Sequence, residues 1–468
     1  MTGAGAGPDP GSPGAGARER RERRASLALL PWGDVLELFL DEIGVTLETF
    51  RTRMTGGWLF GYVEALASAG IETVILCFSA RVDRPRRERH EPTGARLVIL
   101  PASGLYRRMR HGVLATPPRR LAAELRRQRC GAILCQEYED PRFDWSVLVG
   151  SCTGLPVFAT FQGGDFRRHR WEGLIRPLSV TAAAGLVIGP SREAERVRRR
   201  YGVPEHKLAR IFNPVAPLGA AAGGSGAARR GSSRARVRRR VREELAVPPE
   251  TTLVVWHGRV DIRVKGLDLL LEAWRRVRRE GTQARLLLIG TGADAPALRD
   301  WLAAEGGGRR IGVLRVDEYV LDRDRLADYV RSADLAVLSS RREGFPVAPV
   351  EAMAEGLPVV VTDVPGARDI LPEGARSGGL VVPVGDPGAL ASAIRSLIDD
   401  PDRRRALGER ARRRAEAAFS PAAVGRQLAD FLSARGFRPA GLAPVESGLP
   451  PLPSRSGREA GGVSNRPV

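Results

Sequence analysis

The sequence predicts an α/β protein made of two doubly wound domains that face each other across a cleft. Short apolar runs typical of buried strands alternate with amphipathic helical segments along most of the chain, and such alternation gives parallel sheets covered by helices on both faces. A Gly/Ala/Ser-rich stretch at 216–234 separates the alternation into two series. The length of 468 residues also exceeds what one ordinary core supports.

Composition sets the expected domain boundaries, because both ends of the chain and its middle are poor in apolar residues. The predicted segments, in order, are a disordered Arg/Gly/Pro-rich tail (1–26), an N-terminal domain (27–215), a linker or insertion (216–244), a C-terminal domain (245–419), a closing helix (420–435) and a second disordered tail (436–468).

In the first domain, the apolar residues 32–40 are predicted to form the opening strand. Gly56 and Gly57 then make a turn that opens a helix, and strand 73–78 follows. This β-α-β unit places its glycines at the strand-to-helix turn, where the backbone can approach a ligand closely because no Cβ intervenes. The other elements predicted here are strands 97–101, 131–135, 156–161 and 185–189 and helices 118–129 and 192–201.

The second domain is predicted from a regular series of strands and helices. Helix 266–279 shows a clear apolar stripe made by Leu267, Leu270, Trp274 and Val277. The other predicted elements are strands 252–257, 285–289, 311–316, 334–338 and 358–362 and helices 295–304, 323–331, 347–355, 402–417 and 421–434.

The net charge of +20 raises the question of an anionic partner. Only Lys207 and Lys265 are lysine, so 72 of the 74 basic residues are arginine, a skew that indicates a compositional bias across the whole chain. No nucleic-acid-binding motif accompanies the arginines, and nucleic acid is therefore not expected as a partner. Peripheral contact with an anionic membrane is the better expectation, since polybasic clusters bind such surfaces.

The four cysteines lack a C-x-x-C spacing, which argues against a disulfide framework or a zinc site, and they are expected to be reduced core residues. The N-terminal segment lacks the apolar core of a signal peptide, and no apolar run is long enough to span a bilayer. A cytoplasmic location is therefore expected.

Two glutamates mark the candidate site. Glu343 follows a predicted buried strand and Glu351 falls just inside the next helix. In an open α/β sheet, ligands bind outside the carboxyl ends of the strands. Carboxylates at that edge would accept hydrogen bonds from sugar or ribose hydroxyls. The alternative is a plain strand–helix turn with solvated glutamates.

A basic pair lies at the same predicted edge. Arg259 and Lys265 flank the loop between the first strand of the second domain and its helix. A guanidinium and an ammonium beside a helix N-terminus suit a diphosphate, and they would stabilise the charge that grows on a leaving phosphate. In a chain with two lysines, a lysine at this loop points to a need for a compact point charge. An ordinary surface pair is the alternative.

Three segments carry a resemblance to a known family: VIGPSREAERVRRRYGVPEHKLARIFNPV (187–215), HGRVDIRVKG (257–266) and SADLAVLSSRREGFPVAPVEAMAEGLPVVVTD (332–363). Together they resemble the retaining GT-B glycosyltransferases of family 4, which have two Rossmann-like domains and transfer a sugar from a nucleotide-sugar donor. The family's Glu-x7-Glu motif corresponds to Glu343 and Glu351. The resemblance covers roughly residues 30–435 and is stronger in the second domain.

The resemblance implies roles for these residues. Arg259 and Lys265 would hold the donor diphosphate and replace a metal, so neither a metal nor a cofactor is expected. Glu343, with the backbone of Gly344 and Phe345, would orient the donor sugar as a positioning residue, and Glu351 would bind the ribose diol. Retention would follow from front-face attack, with the donor phosphate accepting the proton of the acceptor.

The first domain would supply the acceptor side. Gly56 and Gly57 resemble the family's glycine loop near the donor phosphates. Gln162 stands where many relatives carry a histidine facing the sugar, and glutamine cannot shuttle a proton. Gln162 and Asp165 are the candidate acceptor residues for a glycan, a lipid-linked or a small-molecule acceptor.

A second turn in this region has two interpretations. Gly366 and Asp369 resemble a Gly-x-x-Glu turn with Asp in place of Glu, which would either brace the Arg259 loop or cap a helix.

Two other functions share this architecture. An epimerase-like enzyme acting on nucleotide sugars would need acid/base groups in the cleft, and the shortage of histidine argues against it. A non-catalytic domain that binds nucleotide sugars would be expected to have lost Glu343 or Lys265, and both are present.

Overall fold

The computed structural model describes residues 25–32, 35–109, 116–163, 172–219, 234–279, 282–307 and 312–439. The candidate acceptor residue Asp165 lies outside these ranges, as do residues 1–24, 220–233 and 440–468 of the predicted tails and linker.

The first domain is built on an eight-stranded sheet in the order β3-β4-β2-β1-β5-β6-β7-β8. All neighbouring strands pair in parallel except β3, which is antiparallel to β4. The strands are β1 (Ser26–Leu30), β2 (Thr73–Ser79), β3 (Arg86–Arg89), β4 (Arg96–Pro101), β5 (Cys130–Gln136), β6 (Val157–Thr160), β7 (Gly185–Val187) and β8 (Leu208–Ala209).

The second domain is built on a six-stranded parallel sheet in the order β11-β10-β9-β12-β13-β14. Its first strand, β9, lies next to β12 near the middle of the sheet, so the loops that follow these two strands leave the same edge. The strands are β9 (Thr252–His257), β10 (Ala284–Ile289), β11 (Val313–Val316), β12 (Leu335–Leu338), β13 (Val359–Thr362) and β14 (Gly379–Val382).

Helices connect the strands of both sheets. In the first domain they are α1 (Leu47–Thr52), α2 (Gly57–Ser68), α3 (Gly104–Met109), α4 (Pro118–Arg127), α5 (Pro141–Thr153), α6 (Glu172–Ala182) and α7 (Ser191–Tyr201). The rest are α8 (Arg234–Glu244), α9 (Leu267–Arg279), α10 (Ala295–Ala304), α11 (Arg323–Ser332), α12 (Val347–Ala354), α13 (Ala367–Ile370), α14 (Pro387–Ile398), α15 (Pro401–Ala418) and α16 (Pro421–Ser433).

Each sheet has a core on both faces. In β1, Leu27 and Leu29 belong to one buried cluster, whereas Ala28 and Leu30 belong to another on the opposite face. The residues of β9 divide in the same way between two clusters. This alternation is expected when helices cover both faces of a parallel sheet. The predicted α/β architecture of two doubly wound domains is therefore confirmed.

The predicted strand at 32–40 is wrong. The opening strand is β1, which begins at Ser26 inside the predicted tail, and Val35–Phe39 is a π-helical turn that continues as a short α-helix at Leu40–Glu42. Pro31 follows the strand, and proline lacks the N–H that a ladder needs. Leu36 and Leu40 are still buried in the first core, so their burial was inferred correctly but their secondary structure was not.

Two predicted boundaries also need correction. Helix α8 lies in the predicted linker, yet it packs into the second core through Val241, and buried Arg242 donates to Asp334 at 2.6 Å. Because this segment is rich in arginine, its apolar face was not predicted from the sequence. Phe437, which falls in the predicted disordered tail, is fully buried in the first core.

The closing helix α16 returns to the first domain. Val424, Leu428 and Leu432 belong to the first core, and a Cβ at Gly425 would lie 2.1 Å from the carbonyl oxygen of Ala65 in α2. The chain therefore crosses between the domains twice, once before α8 and once before α16. The two domains are therefore connected by two chain segments, and a cleft lies between their facing sheet edges.

Among the described residues, every helix falls short of the length and apolar character that crossing a bilayer requires.

Three of the four cysteines lie in the core, as predicted. Cys77, Cys130 and Cys135 are buried free thiols, whereas Cys152 is exposed, so the prediction that it lies in the core is wrong.

Candidate functional site

A cavity of about 330 Å³ lies in the cleft between the two domains. Seven of the ten predicted site residues line it, from both sides of the cleft. They are Gly56, Gly57, Arg259, Lys265, Glu343, Phe345 and Glu351. The structure therefore brings together the basic pair, the two glutamates and the glycine loop that the sequence placed in separate segments.

The sheet topology explains why the basic and acidic side chains meet. Arg259 follows the end of β9, and Glu343 follows the end of the neighbouring strand β12. The carboxyl ends of adjacent parallel strands open at the same sheet edge. Glu351 reaches this edge from α12, the helix that follows the Glu343 loop.

Lys265 and Glu343 form an ion pair in the cavity. The Lys265 Nζ donates to both carboxylate oxygens of Glu343, at 2.8 and 2.9 Å, and the Ser340 hydroxyl donates to one of them at 2.5 Å. The two loops also meet through their backbones, because a Cβ at Gly266 would lie 2.1 Å from the Ser339 carbonyl oxygen. Gly266 has a φ of +61°, which favours glycine. The cation and the acid are therefore held at a fixed separation.

Glu351 is held by two further side chains. The His257 Nε2 lies 3.0 Å from Oε2, and the Arg323 guanidinium donates to Oε1 at 2.6 Å. Burial alone would raise the pKa of Glu351, but Arg323 and the His257 hydrogen bond outweigh it and hold the pKa at about 2. Glu351 is therefore a carboxylate at neutral pH and accepts the hydrogen bond from the His257 Nε2.

The glycine loop reaches Arg323 from the opposite domain. Gly56 is the N-cap of α2, has a φ of +68°, and lies so close that a Cβ there would be 2.9 Å from the Arg323 Cζ. Since α2 begins at this loop, the positive end of its dipole points at the cavity, which favours an anion. The loop thus combines close backbone approach with a helix N-terminus.

Gly344 lies outside the cavity lining and instead meets the first domain. A Cβ at Gly344 would be 1.9 Å from the Gly163 Cα. Phe345, the next residue, is buried against Phe212 and Phe419, with ring centroids 5.7 and 5.9 Å apart. The Glu343 loop is therefore held by backbone contact on one side and by aromatic packing on the other.

We expect Gly344→Ala to separate the domains at this point and to lower kcat/KM by about tenfold or more, because small misplacements of reacting groups are costly. The thermal unfolding midpoint and the steady-state rates of the purified variant test this. Gly173→Ala is the matched control, since a Cβ there meets nothing within 4 Å. Equal rates for both variants would show that the close approach of the domains is unimportant.

Gln162 does not line the cavity. Its amide donates to the Thr160 hydroxyl at 2.8 Å, and its carbonyl oxygen accepts from Asn213 at 2.9 Å. The Tyr62 hydroxyl donates to the same Asn213 at 2.9 Å. Gln162 thus belongs to a polar network behind the cleft, and its contact with an acceptor stays a prediction.

Asp369 meets the start of α7 in the first domain. It accepts hydrogen bonds from the Ser191 backbone N–H and hydroxyl, at 3.0 and 3.2 Å, and from Arg210 at 2.6 Å. Both partners belong to the first domain. Asp369 is therefore a contact between the domains, close in sequence to Gly366, which packs against Pro346 of the Glu343 loop.

Sequence reasoning missed Arg323 and the role of His257. His257 lies two residues before Arg259 and could have been found as a polar residue at a strand end. Arg323 begins α11 beyond the end of β11, but in a chain with 72 arginines no single arginine draws attention.

Two family models match this chain. The model described as Glycosyltransferase Family 4 matches residues 59–217, and the model described as Glycosyl transferases group 1 matches residues 251–400. The first lies almost entirely within the N-terminal domain, and the second covers most of the domain that carries the basic pair and both glutamates.

Curated relatives agree with the family models. The chain is 32% identical over 259 residues to D-inositol 3-phosphate glycosyltransferase 2 of Catenulispora acidiphila, covering 54% of this chain and 57% of that protein. It is 33% identical over 253 residues to the D-inositol 3-phosphate glycosyltransferase of Kineococcus radiotolerans, covering 51% and 54%. The chain thus spans about half the length of the curated relatives it matches.

Solved structures extend the similarity in fold to most of the chain. Sucrose-phosphate synthase from Thermosynechococcus elongatus has a TM-score of 0.63 at 21% identity, covering 88% of this chain and 99% of that one. Anabaena HepE in complex with UDP has a TM-score of 0.65 at 14% identity, covering 87% and 100%. These structures establish the fold, which is GT-B. With the cleft, its residues and both family models in agreement, the chain belongs to the GT-B glycosyltransferases of family 4.

Proposed function

We propose that this protein is a retaining glycosyltransferase that moves a sugar from a nucleotide-sugar donor to a hydroxyl acceptor. The observation that carries the proposal is the convergence of Arg259, Lys265, Glu343 and Glu351 with the glycine loop in one interdomain cavity. Cations for a diphosphate and carboxylates for hydroxyls are the two kinds of group that a nucleotide sugar requires.

The donor diphosphate is assigned to Arg259, Lys265 and the start of α2. The two cations reach the cavity from the second domain, and Gly56 and Gly57 line it from the first at the N-terminus of α2. A diphosphate between them would meet positive charge on both sides. We therefore assign its neutralisation to protein groups, and the proposal includes no metal ion and no cofactor.

Bond cleavage places charge on the leaving diphosphate. The bond between the sugar C1 and the phosphate oxygen breaks, and the acceptor hydroxyl oxygen bonds to C1 from the same face. The acceptor proton moves to the departing phosphate oxygen, so the products are a glycoside and a nucleoside diphosphate. Arg259 and Lys265 stabilise the growing negative charge in this step.

Glu343 is assigned to positioning the donor sugar. Its carboxylate is engaged by Lys265 and Ser340, and the remaining lone pairs can accept from sugar hydroxyls. Same-face attack requires no carboxylate nucleophile, which agrees with a glutamate committed to an ion pair. Glu351, ionised and facing the same cavity, is assigned to the ribose diol.

The acceptor class is open to test. The curated relatives are named for D-inositol 3-phosphate, so a phosphorylated cyclitol joins glycans and lipid-linked sugars among the candidates. Peripheral contact with an anionic membrane at the cytoplasmic face remains part of the proposal for a lipid-linked acceptor.

A donor panel tests the proposal. Nucleotide release is measured from UDP-, GDP- and ADP-sugars, starting with UDP-sugars because the similar HepE structure contains UDP, with each acceptor class in turn. We expect saturable turnover of one donor and, by NMR, a product with the anomeric configuration of the donor. Failure of every donor to bind or turn over would overturn the proposal, and an inverted product would overturn retention.

We expect Glu351→Gln to weaken nucleotide binding by about tenfold while kcat changes less, since the amide keeps the shape but loses the charge that ribose hydroxyls donate to. Isothermal titration with nucleoside diphosphates and steady-state kinetics measure both quantities. Unchanged affinity would remove Glu351 from the donor site. Glu355→Gln is the control, because Glu355 lies beyond the C-terminus of α12 and accepts from Arg331 instead.

A further inference from the structure

Arg323 occupies the junction between the two domains and the donor cavity. Its guanidinium donates to Glu351 at 2.6 Å on one side, and Gly56 of the opposite domain approaches it on the other. It lines the donor cavity and also a second interdomain cavity of about 380 Å³, and it forms part of the wall between them together with Gly56. An arginine in this position contacts both donor-binding elements at once.

We propose that Arg323 is a positioning residue of the donor site, which fixes Glu351 for the ribose hydroxyls and joins it to the glycine loop across the cleft. This inference rests on the proposed function. Arg323 acts through Glu351 and Gly56. No sequence motif marks this arginine.

The carboxylate cannot keep its charge and orientation without partners. Glu351 is buried, and an isolated buried carboxylate becomes protonated rather than staying charged. The groups facing Glu351 are His257 from β9, Arg323 from α11, Tyr319 from the preceding loop and the Lys265–Glu343 pair. Glu64 from α2 faces Arg323 from across the interface. Of these, Arg323 supplies the positive charge in direct contact, so its removal leaves Glu351 with the His257 hydrogen bond.

The contact with Gly56 joins this carboxylate to the other domain. A Cβ at Gly56 would lie 2.9 Å from the Arg323 Cζ, so the guanidinium packs directly against the glycine loop. Neither can move toward the other without displacing it. Seating of the loop against a donor therefore also sets the position of Arg323, and through it the position of Glu351.

The test measures nucleoside diphosphate affinity as a function of pH. UDP, GDP and ADP are titrated into the wild type, and the tightest is used for Arg323→Met, Arg323→Lys and the control Arg325→Met, whose arginine pairs with Glu244 away from the cavity. Dividing each variant's Kd by that of the wild type at each pH removes the titration of the ligand itself.

We expect the ratio for Arg323→Met to be about tenfold near pH 8.5 and to grow by about tenfold more as the pH falls to about 5.5. The sign follows because the pKa of Glu351 rises when the cation is lost, so low pH then protonates it. Arg323→Lys should restore a ratio that does not change with pH, and the two glycine variants below keep the inference falsifiable if Arg323→Met does not fold.

Two glycine variants test the link across the cleft. Gly56→Ala and Gly57→Ala both place a Cβ on a residue with a positive φ, +68° and +62°, but a Cβ at Gly57 meets nothing within 4 Å. We expect only Gly56→Ala to reproduce the growing ratio at low pH. A constant ratio in Arg323→Met, or identical pH profiles for the two glycine variants, overturns the inference. Absence of nucleotide binding by the wild type would overturn the proposed function itself.

Discussion

Replacing Arg259 with alanine is expected to lower kcat by about 100-fold or more, which corresponds to about 2.7 kcal/mol of lost transition-state stabilisation. Arg259 lines the cavity just beyond the end of β9, opposite the start of α2. Its guanidinium would meet the diphosphate most strongly when charge develops on the leaving oxygen. Steady-state kinetics with a saturating donor measure the change, and KM should change less than kcat.

Arg263→Ala is the matched control for this variant. Arg263 lies in the same loop, but its side chain is exposed and does not line the cavity. The two variants remove the same charge from the same segment, so a general electrostatic effect would appear in both. A kcat for Arg259→Ala within a few-fold of the control would show that Arg259 does not stabilise the leaving group.

Replacing Lys265 with methionine should have an effect of similar size, with a loss of stability in addition. The ammonium contacts both oxygens of Glu343, so its removal leaves a largely buried carboxylate without its cation, which costs roughly 3–5 kcal/mol for a fully buried pair and less here. We expect kcat to fall by about 100-fold. Lys265→Arg should recover little activity, because the planar guanidinium cannot replace a compact ammonium in this loop.

Lys207→Met provides the control, since Lys207 and Lys265 are the two lysines of the chain. The Lys207 Nζ donates to the carbonyl oxygens of Thr181 and Ala183 at the end of α6, at 2.7 and 3.0 Å. Its loss should lower the thermal unfolding midpoint slightly and leave kcat unchanged. If Lys265→Met lowers the unfolding midpoint without lowering kcat, its role is structural only.

The sequence predicted which residues of the second domain meet at the cavity, because parallel-sheet topology converts sequence order into spatial order. Once β9 and β12 were recognised as strands, Arg259 and Glu343 had to leave the same edge if the strands were neighbours. The glycine loop was found for a similar reason, because glycines at a strand-to-helix turn are a local pattern. These inferences need no knowledge of side-chain packing.

The parts that failed depend on contacts between distant segments. Arg323 becomes important only when α11 of one domain meets Gly56 of the other, and nothing in the local sequence encodes that meeting. Asp369 likewise gains its role from Ser191 and Arg210 across the cleft. The strand at Ser26–Leu30 was missed because it directly follows an arginine-rich segment. The composition of that segment led to the prediction of a disordered tail, which hid the short apolar run of the strand.

Discrimination between nucleoside diphosphate and monophosphate tests the central claim most directly. Isothermal titration of the wild type and of Arg259→Ala with the preferred nucleoside diphosphate and its monophosphate isolates the contribution of the second phosphate. If the basic pair and the glycine loop hold a diphosphate, the wild type should prefer the diphosphate by about tenfold or more, and Arg259→Ala should lose most of that preference. Equal affinities in the wild type, or a preference that survives in the variant, would contradict the account.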